Sequence, residues 1–276
     1  MSGSRVCAVL LAAGEGRRLR PLTAVLPKAL CPVGNVALLD RALARVEALG
    51  FAGADRLAVN ACYLGEQVAA HVGGRAHLSV EPGTPLGTAG GLGNLKEWID
   101  GRAVLVGNAD AYLADPRLPP GADIAALLDG WGGDCVRLLG VAGPPDEFGP
   151  YRFAGFSLLP WTDVAALTAD PAELVRTTWR PAERAGRLQV IAFGGAYLDT
   201  GTPRDYLAAN LHAAPGGLVG EGATVTGRLD RAVVGAGATV HGDLTRAVVW
   251  PGGQVAAGEQ LTDAIRVGRD LTVPAI

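Results

Sequence analysis

The sequence predicts an α/β fold, a Rossmann-like mixed and mostly parallel sheet flanked by helices, followed by a short C-terminal left-handed β-helix. Three observations lead there. Up to about residue 200, short β-branched runs alternate with amphipathic stretches, the pattern of βαβ units feeding a parallel sheet. Beyond Asp134 the strand-like segments lengthen, as in an antiparallel extension of the same sheet. The tail then repeats itself in register.

The elements follow in order. Val6–Leu11 reads as a buried first strand. Leu38, Leu39, Leu43, Val46 and Leu49 mark a helix over Val36–Leu49, with Gly50 where a C-terminal cap ends it. Strands are predicted at Arg56–Asn60, His77–Glu81 and Ala103–Val106, then at Cys135–Val141, Tyr151–Leu158 and Arg187–Ala192. A helical stretch is expected from Trp161 to about Arg184, and a helix with proline in its first turn over Pro203–Ala213. Ala214-Pro215-Gly216-Gly217 punctuates the chain, so a first module is placed at 1–214 and a tail at 215–276. In that tail Val219–Val233 is followed in register by Val234–Val248, and a third, degraded copy starts at Val249. Small residues at corners and aliphatic residues at fixed inward positions suit stacked coils, each burying its face only against its neighbour. A frayed cap is expected near the C-terminus.

Composition narrows the function. The 276 residues are 49% hydrophobic, enough for one sizeable core, and the formal charge of −3 offers no footprint for wrapping nucleic acid or hugging an anionic membrane. The four cysteines have no Cys-x-x-Cys spacing and read as reduced, mostly buried residues. The apolar run Val6–Ala13 leads into Gly14-Glu15-Gly16-Arg17-Arg18 rather than a cleavage site, so no signal peptide or membrane span is predicted and a cytoplasmic location is expected. Lysine occurs only at Lys28 and Lys96 in an arginine-rich chain, which draws attention to Lys28 in its loop.

The strongest local signal is Leu11-Ala12-Ala13-Gly14-Glu15-Gly16-Arg17-Arg18, placed directly after the first strand. Glycines there let backbone N–H groups turn around phosphate oxygens, and Arg18 adds a planar fork suited to phosphate; an ordinary tight βα turn is the alternative. Pro27-Lys28-Ala29-Leu30 follows, where the ammonium serves either the α-phosphate of a triphosphate or the surface. Asp110 and Asp199 each leave a strand into a loop; such carboxylates suit Mg²⁺, and equally cap a following turn or helix.

These residues resemble the signature of the sugar-1-phosphate nucleotidyltransferases. Pro85-Leu86-Gly87-Thr88-Ala89-Gly90 is similar to that family's second glycine loop, which holds the base. Asn108-Ala109-Asp110 stands where its metal-binding Asn-Gly-Asp falls, and Tyr197–Pro203 resembles its Asp-x-Gly-Thr-Pro element. Phe148-Gly149-Pro150-Tyr151 and Ala154-Gly155 fall in its sugar-binding stretch. The resemblance implies a catalytic domain over 1–214 that joins an NTP to a sugar 1-phosphate, with Arg18 and Lys28 catalytic. It implies nucleotide contacts from Leu11, Ala12, Ala13, Gly14, Glu15, Gly16, Glu81, Gly87 and Thr88, and sugar-phosphate contacts from Asn108, Glu147 and Gly155. Asp110 and Asp199 would hold Mg²⁺.

The pattern also departs from the family. The chain has no lysine after Lys96 to meet the sugar phosphate, so Arg152, Arg176 or main-chain donors would replace it; Ala109 stands in for glycine and Arg17 for threonine. Glu81, acceptor-only, suits guanine better than a pyrimidine and leans the reading to GTP, unless it only ends its strand. The sugar lean is a mannose- or heptose-type 1-phosphate, with uridylyl or thymidylyl transfer as the alternative. Rival readings are weaker. A regulatory relative would be expected to lose Lys28, Arg18 or an aspartate. A solenoid acyltransferase needs more coils and a histidine base, and Gly14-x-Gly16 lacks the rest of a dinucleotide fingerprint. An exposed stacking edge on the tail predicts a homo-oligomer.

Overall fold

The computed structural model describes residues 6–145 and 147–276. The residues before Val6 and Asp146, part of the 1–214 module, lie outside the described set. The chain divides into two compact units, unit 1 comprising Met1–Glu15 with Leu39–Tyr197 and unit 2 comprising Gly16–Leu38 with Leu198–Ile276. The division between residues 214 and 215 drawn from sequence falls inside unit 2.

Unit 1 is built on a seven-stranded sheet. Its strands are β1 (Val6–Leu11), β2 (Leu57–Ala61), β3 (His77–Val80), β4 (Ala103–Asn108), β5 (Val136–Ala142), β6 (Tyr151–Leu159) and β7 (Leu188–Ala192), in the order β7-β5-β6-β4-β1-β2-β3. The pairs β1·β2, β1·β4, β2·β3 and β5·β7 run parallel, whereas β6 is antiparallel to both β4 and β5. The mostly parallel sheet with an antiparallel extension matches the expectation. Alternate residues of β1 explain its burial on both faces: Cys7, Val9 and Leu11 join the cluster of Val104, Val106, Leu138, Leu92 and Trp179, while Ala8 and Leu10 point the other way and are equally buried.

Helices α1 (Leu38–Ala48), α2 (Gly65–Val72) and α3 (Gly87–Asn94) flank this sheet in chain order. The helix expected from Trp161 to Arg184 is instead broken into Trp161–Val164, a π-helical turn Val175–Trp179 and Arg180–Arg184. Pro171 lacks the N–H a helix interior needs. The intervening backbone also has another task. Ala172 N donates to Leu86 O at 2.9 Å, Ala89 N donates to Ala172 O at 2.9 Å, and the Thr168 carbonyl passes so close to α3 that a Cβ on Gly93 would overlap it. Four glycines in α3 are poor helix formers, and this close approach is what they permit.

Unit 2 joins the segment Gly16–Leu38 to the C-terminal part of the chain through part-buried polar bonds. The helix Pro203–Ala213 carries Tyr206, fully buried, whose hydroxyl donates to Pro32 O and accepts from Trp250 Nε1 at 3.0 Å. Asn210 Oδ1 accepts from Gly34 N at 3.0 Å, and Asn35 Nδ2 donates to Val234 O at 2.8 Å. The tail copies stack in parallel with a 15-residue step, Leu218 opposite Val233 and Val233 opposite Val248. The next step, Val248 to Ile265, is two residues longer. Aliphatic side chains at repeated positions, Val234, Val249, Val240 and Val255 among them, fill the interior. The expected frayed cap is corrected: Leu271–Pro274 turns back antiparallel on Gln260–Val267 and covers that edge.

Candidate functional site

In unit 1 the ends of β1, β2 and β3 are tied together by one chain of hydrogen bonds. Ala12 N donates to Asn60 Oδ1 at 2.6 Å, Asn60 Nδ2 donates to Glu81 Oε1 at 2.7 Å, and Leu86 N donates to Glu81 Oε2 at 2.8 Å. Asn60 and Glu81 are both buried. The first glycine loop is thereby braced to the second through two side chains. Burial pushes the Glu81 carboxyl up, and the donors Leu86 N and Asn60 pull the other way without cancelling it. Glu81 therefore does not end its strand in solvent; it is an internal brace with one bond already made to each oxygen. Leu11, Ala12 and Ala13 are buried, Gly14 is exposed and has open space where a Cβ would stand, and Glu15 is half-buried.

Gly87 and Thr88 begin α3. The Thr88 hydroxyl donates to Glu173 Oε2 at 2.7 Å and accepts from Leu174 N at 2.8 Å, so its one proton is taken. Asn108 ends β4, and Ala109 N donates back to Leu11 O at 3.0 Å, which fixes the start of the turn that carries the half-buried Asp110. Glu147 is exposed and its Oε2 accepts from Phe153 N at 2.9 Å, bracing the connection between β5 and β6. Gly155 sits in β6 with φ +80° beside Leu113 and Tyr197. Arg152 lies over the Tyr197 ring, 5.3 Å from its centroid, and donates to Tyr197 O. Arg176 lies exposed on the π-helical turn.

Unit 2 brings Arg18, Lys28 and Asp199 together. Lys28 Nζ lies 3.3 Å from Asp199 Oδ1 and Arg18 Nη2 lies 3.1 Å from Asp199 Oδ2, so each carboxylate oxygen meets a different cation. The Lys28 side chain is 7% exposed and that of Arg18 70%, so the first is packed in by its surroundings and the second is open to solvent. Burial alone would raise the Asp199 carboxyl, but Lys28 and Arg18 together outweigh it and hold the group below its ordinary value. Gly16, with φ +60°, makes room for this: a Cβ there would press on Thr23 and on Lys28 Cβ. Thr23 Oγ1 donates to Gly16 O at 2.9 Å and holds the turn closed. Downstream of Asp199, Thr202 caps the helix that Pro203 begins, accepting from Asp205 N at 3.2 Å.

Sequence reasoning missed Asn60 and Glu173 as organisers of the two glycine loops, and Thr23 as the latch on Gly16. A polar residue ending an otherwise apolar strand was the one local signal for Asn60. Lys96, the other lysine, caps a helix end by donating to Leu167 O at 2.9 Å and Ala165 O at 3.3 Å. Three cysteines are buried and none is in a disulfide; burial raises Cys7 to about 11 and Cys31 to about 12, so both are protonated at neutral pH. Among the described residues no helix is long and apolar enough to cross a membrane.

Residues 8–137 match the MobA-like NTP transferase domain. The chain is 32% identical over 134 residues to a mannose-1-phosphate guanylyltransferase of Mycobacterium tuberculosis, a match covering 47% of this chain and 34%, about a third, of that protein's length. It is 30% identical over 248 residues to an N-acetylmuramate alpha-1-phosphate uridylyltransferase of Caulobacter vibrioides, covering 78% of this chain and 99% of that one. Its fold is similar to that of a Bacillus anthracis protein described as a glucose-1-phosphate thymidylyltransferase, with a TM-score of 0.61 at 17% identity, over 75% of this chain and 95% of that one.

Proposed function

The chain belongs to the sugar-1-phosphate nucleotidyltransferase family, and on that premise we propose that it transfers a nucleoside monophosphate from an NTP to a sugar 1-phosphate, giving an NDP-sugar and pyrophosphate. The observation that carries this is the convergence of Lys28 and Arg18 on Asp199, a buried ammonium and an exposed guanidinium at the end of a glycine turn. A phosphate oxygen of the sugar 1-phosphate attacks the α-phosphorus in line, the bond to the bridging β-phosphate oxygen breaks, and pyrophosphate leaves. Lys28 offsets charge on the α-phosphate as it becomes five-coordinate, and Arg18 follows the phosphates it releases Asp199 to meet. No general base is needed, because the attacking phosphate is already ionised. The loop from Leu11 to Gly16 lies along the nucleotide phosphates, with backbone N–H groups beyond Ala12, whose own N–H is taken by Asn60, turned to them, and Gly87 and Thr88 border the base. Asn108, Glu147 and Gly155 serve the sugar side, with Arg152 and Arg176 as the cations available in place of a second lysine.

A divalent cation fits the donor chemistry, and Mg²⁺ is the ion we propose. It takes one or two carboxylates and fills its other positions with water and phosphate oxygens. Asp110 and Asp199 are such donors, and Asp199 is held ionised. Among the described residues no three His, Cys, Asp or Glu side chains gather into a larger cage. Bound there, the ion would supply Lewis-acid polarisation of phosphate oxygens.

For the base we propose GTP, on the acceptor-only chemistry of the Glu81 carboxylate at the second glycine loop; uridylyl transfer is the second reading, favoured by the match along the full length of the Caulobacter protein. Resemblance leaves the sugar between mannose- or heptose-type and N-acetylated 1-phosphates. We read residues 1–214 as the catalytic module of a cytoplasmic enzyme and 215–276 as a left-handed β-helix, whose hand a crystal structure checks. Leu218, Val219 and Leu229 stay exposed on its first coil, which supports self-association there. Light scattering that gives a monomer at micromolar concentration would remove that part. The main test is pyrophosphate release with Mg²⁺ across GTP, UTP, dTTP, CTP and ATP against a panel of sugar 1-phosphates. Release in one pairing supports the reading, and silence across the panel with folded protein overturns it.

A further inference from the structure

Within unit 2, Lys28 is held to one helix from two directions. Its Nζ lies 3.3 Å from Asp199 Oδ1, and Asp199 stands just ahead of Thr202, the cap of the helix Pro203–Ala213. The chain that follows Lys28 then returns to that same helix. Cys31 N donates to Lys28 O at 3.0 Å and closes a single tight turn over Lys28–Leu30, and the next residue, Pro32, offers its carbonyl to the Tyr206 hydroxyl. Val33 and Val36 pair across the turn Gly34-Asn35, where both residues have positive φ, and Gly34 N donates to Asn210 Oδ1 at 3.0 Å. Tyr206 and Asn210 are four residues apart, so both reach this hairpin from one face of the helix.

Behind that face stands the tail. Trp250 Nε1 donates to the Tyr206 oxygen at 3.0 Å, and Asn35 Nδ2 donates to Val234 O at 2.8 Å. Tyr206 and Trp250 are both buried. Burial pushes the Tyr206 hydroxyl well up, so it keeps its proton at neutral pH. With the indole N–H on the oxygen, that proton is directed to the acceptor on the other side, Pro32 O. Lys28 has little room to adjust on its own, because its side chain is buried and a Cβ on Gly16 would stand 3.0 Å from Lys28 Cβ. A displacement of Pro32 is therefore passed through the short turn to the ammonium.

We propose that Tyr206 and Trp250 are positioning residues for Lys28, and that the tail thereby works as part of the catalytic scaffold. Both act through Pro32 and not on the reacting atoms. The proposal rests on the nucleotidyl-transfer reading for the task that Lys28 performs.

The test uses the full chain, with each variant shown to be folded by circular dichroism. Y206F is expected to lower kcat about tenfold and W250F severalfold, with KM for the NTP within about twofold of wild type, because a misplaced group weakens the transition state more than binding. In a K28A background the same substitutions are expected to cost less than about twofold, since the group they position is gone. A loss due only to less folded protein would be equal in both backgrounds. The second readout needs no turnover. Lysine occurs only at Lys28 and Lys96, and Lys96 in unit 1 is tied to Leu167 O and Ala165 O. Reductive methylation followed by peptide mass spectrometry thus reads Lys28 against an internal reference. The Lys28-to-Lys96 labelling ratio is expected to rise severalfold in both variants, and W250F serves alone if Y206F does not fold. A ratio that neither variant moves, or kcat losses that are equal in the two backgrounds, overturns the positioning role and leaves nucleotidyl transfer standing. A raised ratio in protein that turns over no sugar 1-phosphate supports the hold on Lys28 and overturns the transfer reading.

Discussion

Asn60 and Glu81 hold each other in one orientation. The amide oxygen of Asn60 accepts from Ala12 N, so its NH₂ must face the 2.7 Å contact with Glu81, and only an acceptor can stand there. Leu86 N claims the other carboxylate oxygen. E81Q therefore brings an NH₂ against either Asn60 or Leu86 N, and no flip of either amide repairs it. Urea unfolding should show E81Q less stable than the wild type by about 1–3 kcal/mol. An unchanged midpoint would show that the brace carries no stability.

Glu81 and Asp199 should mark the pH dependence with opposite signs. The Glu81 carboxyl is raised, so the native state keeps its proton longer than the unfolded chain. This group's contribution falls as pH rises from the ordinary value of 4.5 through the raised one. Asp199 is depressed, so its contribution is present above 3.8 and is lost as pH falls through the lower folded value. Difference curves of unfolding free energy, wild type minus E81Q and wild type minus D199N, should slope in opposite directions in these two windows. Parallel curves would contradict the assignment.

K28A should leave the circular dichroism spectrum native while turnover falls by two orders of magnitude or more, measured by pyrophosphate release. Asp199 keeps Arg18 as a partner in that variant, so the fold retains a counter-ion. R18A should fall less than K28A, because the exposed guanidinium is the less rigidly placed of the two.

Y206F removes the acceptor of Trp250 Nε1, which is buried with it. Unfolding followed by tryptophan fluorescence should register a loss of about 1–3 kcal/mol, and adding W250F should recover part of it in a double-mutant cycle. Additive losses would mean that the two residues are not coupled.

G93A and G14A should separate packing from open space. A Cβ on Gly93 would lie 2.0 Å from Thr168 O, whereas one on Gly14 meets nothing within 4 Å. G93A is expected to lose about 1–3 kcal/mol or to misfold, and G14A to stay within about 0.5 kcal/mol of the wild type. Thermal melts of the pair decide it.

Much of this was legible in the chain because the signals were local. Leu11–Arg18 follows an apolar strand, Thr202-Pro203 announces a helix start, and Val219–Val248 repeats visibly. What stayed hidden depends on partners far along the chain. Glu81 reads as a base contact or a strand end from its neighbours; that it also braces the two glycine loops is set by Asn60, 21 residues before it. The stretch Trp161–Arg184 looked helical because nothing in its own residues says that Thr168 to Ala172 must lie along the glycines of α3. The grouping of Gly16–Leu38 with the C-terminal part turns on Tyr206 and Asn210, which are more than 170 residues away from Pro32 and Gly34.

The 15-residue step of the tail makes its length a quantised variable. Deleting or duplicating one whole copy moves every inward valine onto an equivalent neighbour. A single inserted residue would instead shift the following strand by one and turn its buried side chains outward. Gain or loss of a whole copy thus preserves the inward pattern, while point insertions do not, and the bonds from Asn35 to Val234 and from Trp250 to Tyr206 fix which copies stand against the rest of the unit. The longer final step and the antiparallel strand after it act as a stop that any such growth must leave in place.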